Sequence, residues 1–140
     1  EAVNEAGPNT LDNYNVRKVG DQYPPLGNET VEAEIILMNF GRNGGNWDKA
    51  IAWANKYRLK RTNPRHSFAV GKHKPRLHDE LGMDPMYVVA TEECAFGGSR
   101  RACDVWWYES GRRCRLRGVG DYGYSVDWFA FLPPQVVLGL

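Results

Sequence analysis

From residue 86 onward the hydrophobic pattern takes a period of two, and this most restricts what the chain can fold into. Met86-Tyr87-Val88-Val89-Ala90-Thr91 is dense in β-branched and apolar residues and predicts a strand. Residues 102–108, 113–118 and 128–132 predict three more. Gly98-Ser99 has the composition of a two-residue hairpin turn with Gly in the first central place, a register that sets Cys94 opposite Cys103. Successive side chains of a strand point to opposite faces. Arg113, Arg115 and Arg117 therefore share one face, while Leu116 points to the core. Trp106 and Trp107 are adjacent, so one faces inward and the other outward, to floor a site or cover a helix.

Upstream the period differs. Residues 32–40 contain a short apolar run that suits a buried strand, stopped by Gly41, Gly44 and Gly45. Asn46 is a good N-cap, Asp48 puts negative charge in the first turn, and Trp47, Ala50, Ile51 and Ala54 follow at i, i+3, i+4, i+7. This predicts an amphipathic helix over 47–59. Asn63-Pro64 reads as a break, with Phe68-Ala69-Val70 a small apolar patch beyond it. Pro75, Leu77, Leu81 and Gly82 predict a second, shorter helix. Residues 1–30, with Gly7-Pro8-Asn9 and Pro24-Pro25, read as an N-terminal arm. The expected architecture is one α+β domain over 31–140, with two helices and a small antiparallel sheet.

Bulk properties exclude several classes. A formal net charge of +1 over 140 residues argues against a strongly basic polymer-binder on global charge. No apolar run approaches the roughly 20 residues of a membrane helix, so no membrane insertion is expected. The opening Glu1 to Asn15 is acidic and polar and does not read as a signal peptide. Three cysteines make no disulfide framework. Cys94 and Cys103 are read either as a bonded pair or as buried thiols, with thiols preferred, and Cys114 has no evident partner. His66, His73 and His78 fit no zinc spacing and are expected to be solvated or capping; Asp79-Glu80 and Glu92-Glu93 are expected to be surface charge. We expect no catalytic constellation, no metal and no cofactor.

Amino-acid use is uneven along the chain. Residues 1–74 hold ten Asn and six Lys, and residues 75–140 hold neither. Strand propensity disfavours both types, but turns in so long a run normally admit some. Within 104–127 stand Tyr, Ser, Gly, Arg and Asp, the residue types of antibody paratopes, flanked by Val105-Trp106-Trp107 and Trp128-Phe129-Ala130-Phe131. An apolar frame around a chemically free stretch points to a binding face.

Val88-Val89-Ala90-Thr91, Arg100-Arg101-Ala102-Cys103, Val105-Trp106-Trp107 and Trp128-Phe129-Ala130-Phe131 together resemble the frame of the variable proteins of diversity-generating retroelements, in particular those of archaeal viruses. The resemblance extends through Asn39-Phe40-Gly41-Arg42 and covers most of 31–132. It implies a C-type lectin-like fold with a long variable ligand-binding region. It also implies that error-prone copying at adenines, with Asn codons as preferred targets, rewrites the end of the gene. The lack of Asn and Lys beyond residue 74 agrees with such a history. Carried over residue by residue, the resemblance gives Asp104, Tyr108, Ser110, Gly111, Arg113, Arg115, Arg117, Tyr122, Tyr124, Ser125 and Asp127 as the variable, ligand-contacting positions. No carboxylate-Pro motif lies in 104–130, so calcium-dependent sugar binding is not expected.

The preferred function is therefore hypervariable ligand binding for receptor recognition or adhesion, without enzymatic activity. The expected partner is a protein or glycan on another cell or virion, and the expected location is a virion or cell surface. Single-stranded nucleic acid is disfavoured against a solvated Arg-rich rim. Two alternatives are a structural virion or assembly protein and an oxidase of the sulfatase-activating type, which shares the fold and uses cysteines.

Overall fold

Asn46 opens the first helix as its sequence predicts. In the computed structural model, which describes residues 10–11, 34–83, 85–96, 98–108 and 111–134, its side chain accepts from the Lys49 N–H at 2.8 Å. Helix α1 (Trp47–Lys56) buries Trp47, Ala50, Ile51 and Ala54. It stops three residues earlier than the pattern suggests. Arg58 takes a left-handed φ of 59°, and Leu59 N–H bonds back to the Ala54 carbonyl at 2.9 Å, a Schellman closure with Arg where Gly is usual.

Asn63-Pro64 is not a break. It starts helix α2 (Pro64–His73). Asn63 Oδ1 accepts from Arg65 N–H at 2.9 Å, and His66 Nδ1 accepts from Asn63 N–H at 3.0 Å. A proline at the first helical position loses nothing, because its missing N–H has no helical partner there. Ser67, Phe68 and Gly71 lie on the buried side with Pro64. Helix α3 (Leu77–Glu80) is the short helix expected after Pro75. There are thus three α-helices among the described residues, not two.

The strands are β1 (Thr10–Leu11), β2 (Ile36–Met38), β3 (Lys60–Arg61), β4 (Met86–Ala90), β5 (Cys94–Phe96), β6 (Ser99–Tyr108), β7 (Gly111–Gly118) and β8 (Asp127–Leu132). The main path of the sheet is β1-β7-β6-β4-β8-β2, with β3 on β8 and β5 on β6. Every strand expected beyond residue 85 is present, but the sheet is mixed and not antiparallel. β4 and β8 run parallel, as do β1 and β7. The apolar run at 32–40 gives only a half-buried strand, β2. Of the expected N-terminal arm, only Thr10–Leu11 lies within the described residues.

The β5–β6 turn sits one residue earlier than expected. Phe96 faces Ser99 and Cys94 faces Arg101, not Cys103. Gly98 adopts φ of 76°, which a residue without Cβ takes freely. Cys94 and Cys103 are diagonal neighbours instead, and all three cysteines are buried.

Alternation along β6 divides the interior in two. Cys103, Val105 and Trp107 join Phe68, Leu77, Met86 and Val88 beneath α2 and α3. Ala102 faces the other way, with Val89, Phe129 and Phe131, under the apolar stripe of α1. Cys114 and Leu116 of β7 point to the α2 side, so Cys114 is a core thiol and not an exposed one.

Candidate functional site

The α1 side of the sheet is only partly roofed. Past the area that α1 covers, Tyr87, Trp106 and Tyr108 form a row of half-buried rings. Tyr87 and Trp106 are cross-strand partners. Their rings lie 5.7 Å apart and nearly coplanar in tilt, at 3°, and Tyr108 follows 4.5 Å from Trp106. Trp107 is the inward member of the tryptophan pair and Trp106 the outward one.

On the adjacent strand β7, Arg113, Arg115 and Arg117 stand opposite Trp106, Asp104 and Ala102. As the alternation predicts, all three project to this face. Arg113 lies 5.6 Å from the Trp106 ring centre and 5.3 Å from that of Tyr108. Arg115 is 4.8 Å from Trp106 and 5.0 Å from Tyr87. Arg117 is 5.7 Å from Tyr87 and 5.2 Å from Tyr122. Contacts of this kind are worth about 0.5–2 kcal/mol each and hold flexible guanidinium groups in a defined array. Arg113 Nε also donates to the Tyr108 hydroxyl at 3.1 Å. Gly111 lets Tyr108 fold inward, since a Cβ there would meet Tyr108 Cζ at 2.7 Å.

Four of the sequence-predicted site residues, Asp104, Gly111, Tyr122 and Asp127, lie beneath the surface. Asp104 is fully buried and accepts from the Tyr122 hydroxyl at 2.7 Å. Arg115 Nε stands 3.7 Å from its other oxygen. Burial foremost pushes the Asp104 carboxyl up to about 7, against the opposing pull of Tyr122, Arg115 and Arg117. Tyr122 is also buried, under α1 beside Trp47, and burial together with Asp104 raises its hydroxyl well above the usual value. These two anchor the arginine row from below.

Asp127 is buried and fixes a loop. Its Oδ2 accepts from Gly123 N–H at 2.9 Å and Tyr124 N–H at 3.0 Å. Asn39 Nδ2 donates to the Ser125 and Asp127 carbonyls at 2.7 and 3.0 Å. Gly45 N–H donates to the Gly123 carbonyl at 2.8 Å. The loop so held presents Tyr124, 70% exposed, and Ser125, also exposed. Ser110 lies outside the described residues.

Two residues of this site were not among the expected ones. Tyr87 is the outward position of an otherwise buried β4, visible in the alternation but not singled out by composition. Asn39 belongs to the upstream segment, and nothing local marks it as a loop anchor. Arg112, by contrast, leaves the rim. It is buried on the α2 side and donates to the Gly71 carbonyl at 2.6 Å.

Among the described residues, no group of three or more His, Cys, Asp or Glu is placed to hold a metal ion, and no helix is long and apolar enough to cross a membrane. No family model, curated protein or solved structure matches the chain.

Proposed function

We propose that this chain is a ligand-binding module of the retroelement-diversified kind on a C-type lectin-like scaffold. It would recognise a protein or glycan on another cell or virion through the face that bears Arg113, Arg115, Arg117, Tyr108, Tyr124 and Ser125. The observation that carries this reading is the separation between that face and its support. Tyr108 and the three arginines project from one half-buried face and Tyr124 and Ser125 from an exposed loop, while Asp104, Tyr122 and Asp127 are spent on holding the strand and loop beneath them. Packing that fixes a backbone leaves outward side chains free to change chemistry at little cost in stability. The three cysteines are buried among apolar side chains, which weighs against oxidase chemistry at a reactive thiol.

A display library randomised at Tyr108, Arg113, Arg115, Arg117, Tyr124 and Ser125 tests it. Most members should stay protease-resistant, and selection should yield binders to several unrelated protein or glycan targets. A parallel library at Asp104, Tyr122 and Asp127 should be mostly unfolded. Equal loss of folding in both libraries would refute the proposal. The diversification history has its own check: a near-repeat of the DNA encoding 100–130, differing chiefly at adenines, beside a reverse transcriptase gene.

A further inference from the structure

The arginine row has a geometry that selects among ligands. This inference rests on the binding reading above and narrows it. Alternate residues of a strand stand about 6.6–6.8 Å apart, so the backbone positions of Arg113, Arg115 and Arg117 follow that repeat along β7, with all three side chains on one face. Each is half-buried, and each lies over two rings. A guanidinium that covers a ring face directs its N–H donors outward in its own plane, the arrangement that takes a carboxylate in a two-point bond. Arg113 spends Nε on Tyr108. Among the described residues, the one acidic group within ion-pair distance of the three is Asp104, which touches Arg115 from below. Among the described residues, the outer nitrogens of the row therefore form a cationic ladder with no carboxylate within ion-pair distance.

We infer that this ladder binds an extended acidic peptide segment, contributed by a protein partner, whose carboxylates occur at every second residue. An extended chain repeats its same-face side chains at the period of β7 itself, so three successive carboxylates meet three successive arginines in register. Single-stranded nucleic acid fits less well. It binds by stacking bases on open aromatic faces, and here the guanidinium groups already lie over Tyr87, Trp106 and Tyr108. A neutral sugar has no use for three fixed cations.

The test uses the full chain and fluorescence anisotropy with three labelled peptides: alternating Glu-Thr, the same residues as a Glu block followed by a Thr block, and alternating Gln-Thr. A single-stranded oligonucleotide of equal charge is the fourth probe. The alternating acidic peptide should bind about 10-fold or more tighter than the block peptide, and the Gln-Thr peptide should not bind. Arg115→Gln should weaken the alternating peptide by about 10-fold, the scale of a lost charged hydrogen bond, with its thermal midpoint measured alongside. Equal affinity for the alternating and block peptides, tighter binding of the oligonucleotide, or no binding of any probe would overturn the inference. The peptide comparison needs only the wild-type chain, so it stands even if Arg115→Gln does not fold. If the surface library folds and yields binders while the alternating peptide fails, the acidic-peptide inference falls alone. If that library does not fold, the binding reading falls with it.

Discussion

The Tyr122 hydroxyl donates to Asp104 Oδ2 across 2.7 Å, and both side chains are buried. This contact ties the segment after β7 to the centre of β6, directly below Arg115 and Arg117. It makes a carboxylate part of the foundation of the face and not part of its surface.

Removing the hydroxyl should therefore cost stability. Tyr122→Phe leaves a buried acceptor without its donor, a loss of about 1–3 kcal/mol. Urea denaturation of wild type and variant measures it. A change within error would mean that another donor replaces the phenol at no cost.

Asp104 also sets a pH dependence. Its carboxyl titrates at about 7 in the folded chain, against an ordinary 3.8. Between those values the native state holds a proton that the unfolded state has lost, so stability falls as pH rises from about 4 to about 7 and then levels off. Asp127, raised chiefly by burial, adds to the same trend. His66, lowered chiefly by burial, opposes it, since its contribution is lost as pH falls below its ordinary 6.5. The difference between wild type and Asp104→Asn isolates the one group. That difference should decline by on the order of 2–4 kcal/mol across the window. A flat difference would show Asp104 ionised throughout.

Gly123 should tolerate no side chain. A Cβ there would stand 2.2 Å from the Gly45 carbonyl oxygen, and its φ is 133°. Gly123→Ala should detach the loop that carries Tyr124 from Gly45, at a cost of about 2 kcal/mol or more. Amide hydrogen exchange at Gly45 reports the broken bond directly. Unchanged protection there would contradict the close approach.

Surface and core should answer truncation differently. Arg113→Ala removes two ring contacts and one hydrogen bond on a half-exposed face, and should cost about 1 kcal/mol. Trp107→Ala empties a fully buried site and should cost about 3–5 kcal/mol. Thermal unfolding of the pair ranks them, and comparable losses would mean that the arginine row is structural.

Asn46 beside a spaced apolar stripe determined α1, and the two-residue period determined β4, β6, β7 and β8. Both follow from local chemistry: a cap that satisfies an orphan N–H, and side chains that alternate about an extended backbone. The same alternation put Arg113, Arg115 and Arg117 on one face and Leu116 on the other. Asn63-Pro64 carried a correct signal that a proline's breaking role obscured, since the same ring that ends one helix can open the next.

Only the tertiary structure decided that β4 and β8 lie parallel, a pairing between residues about forty apart whose direction no local pattern encodes. It also decided that α1 covers Val89, Ala102, Phe129 and Phe131 but stops short of Tyr87 and Trp106. Period fixes which face a side chain joins; whether that face meets a helix, a loop or solvent depends on where distant segments come to rest. For that reason Asp104, Tyr122 and Asp127 share a composition with the exposed Tyr124 and Ser125, yet lie beneath them.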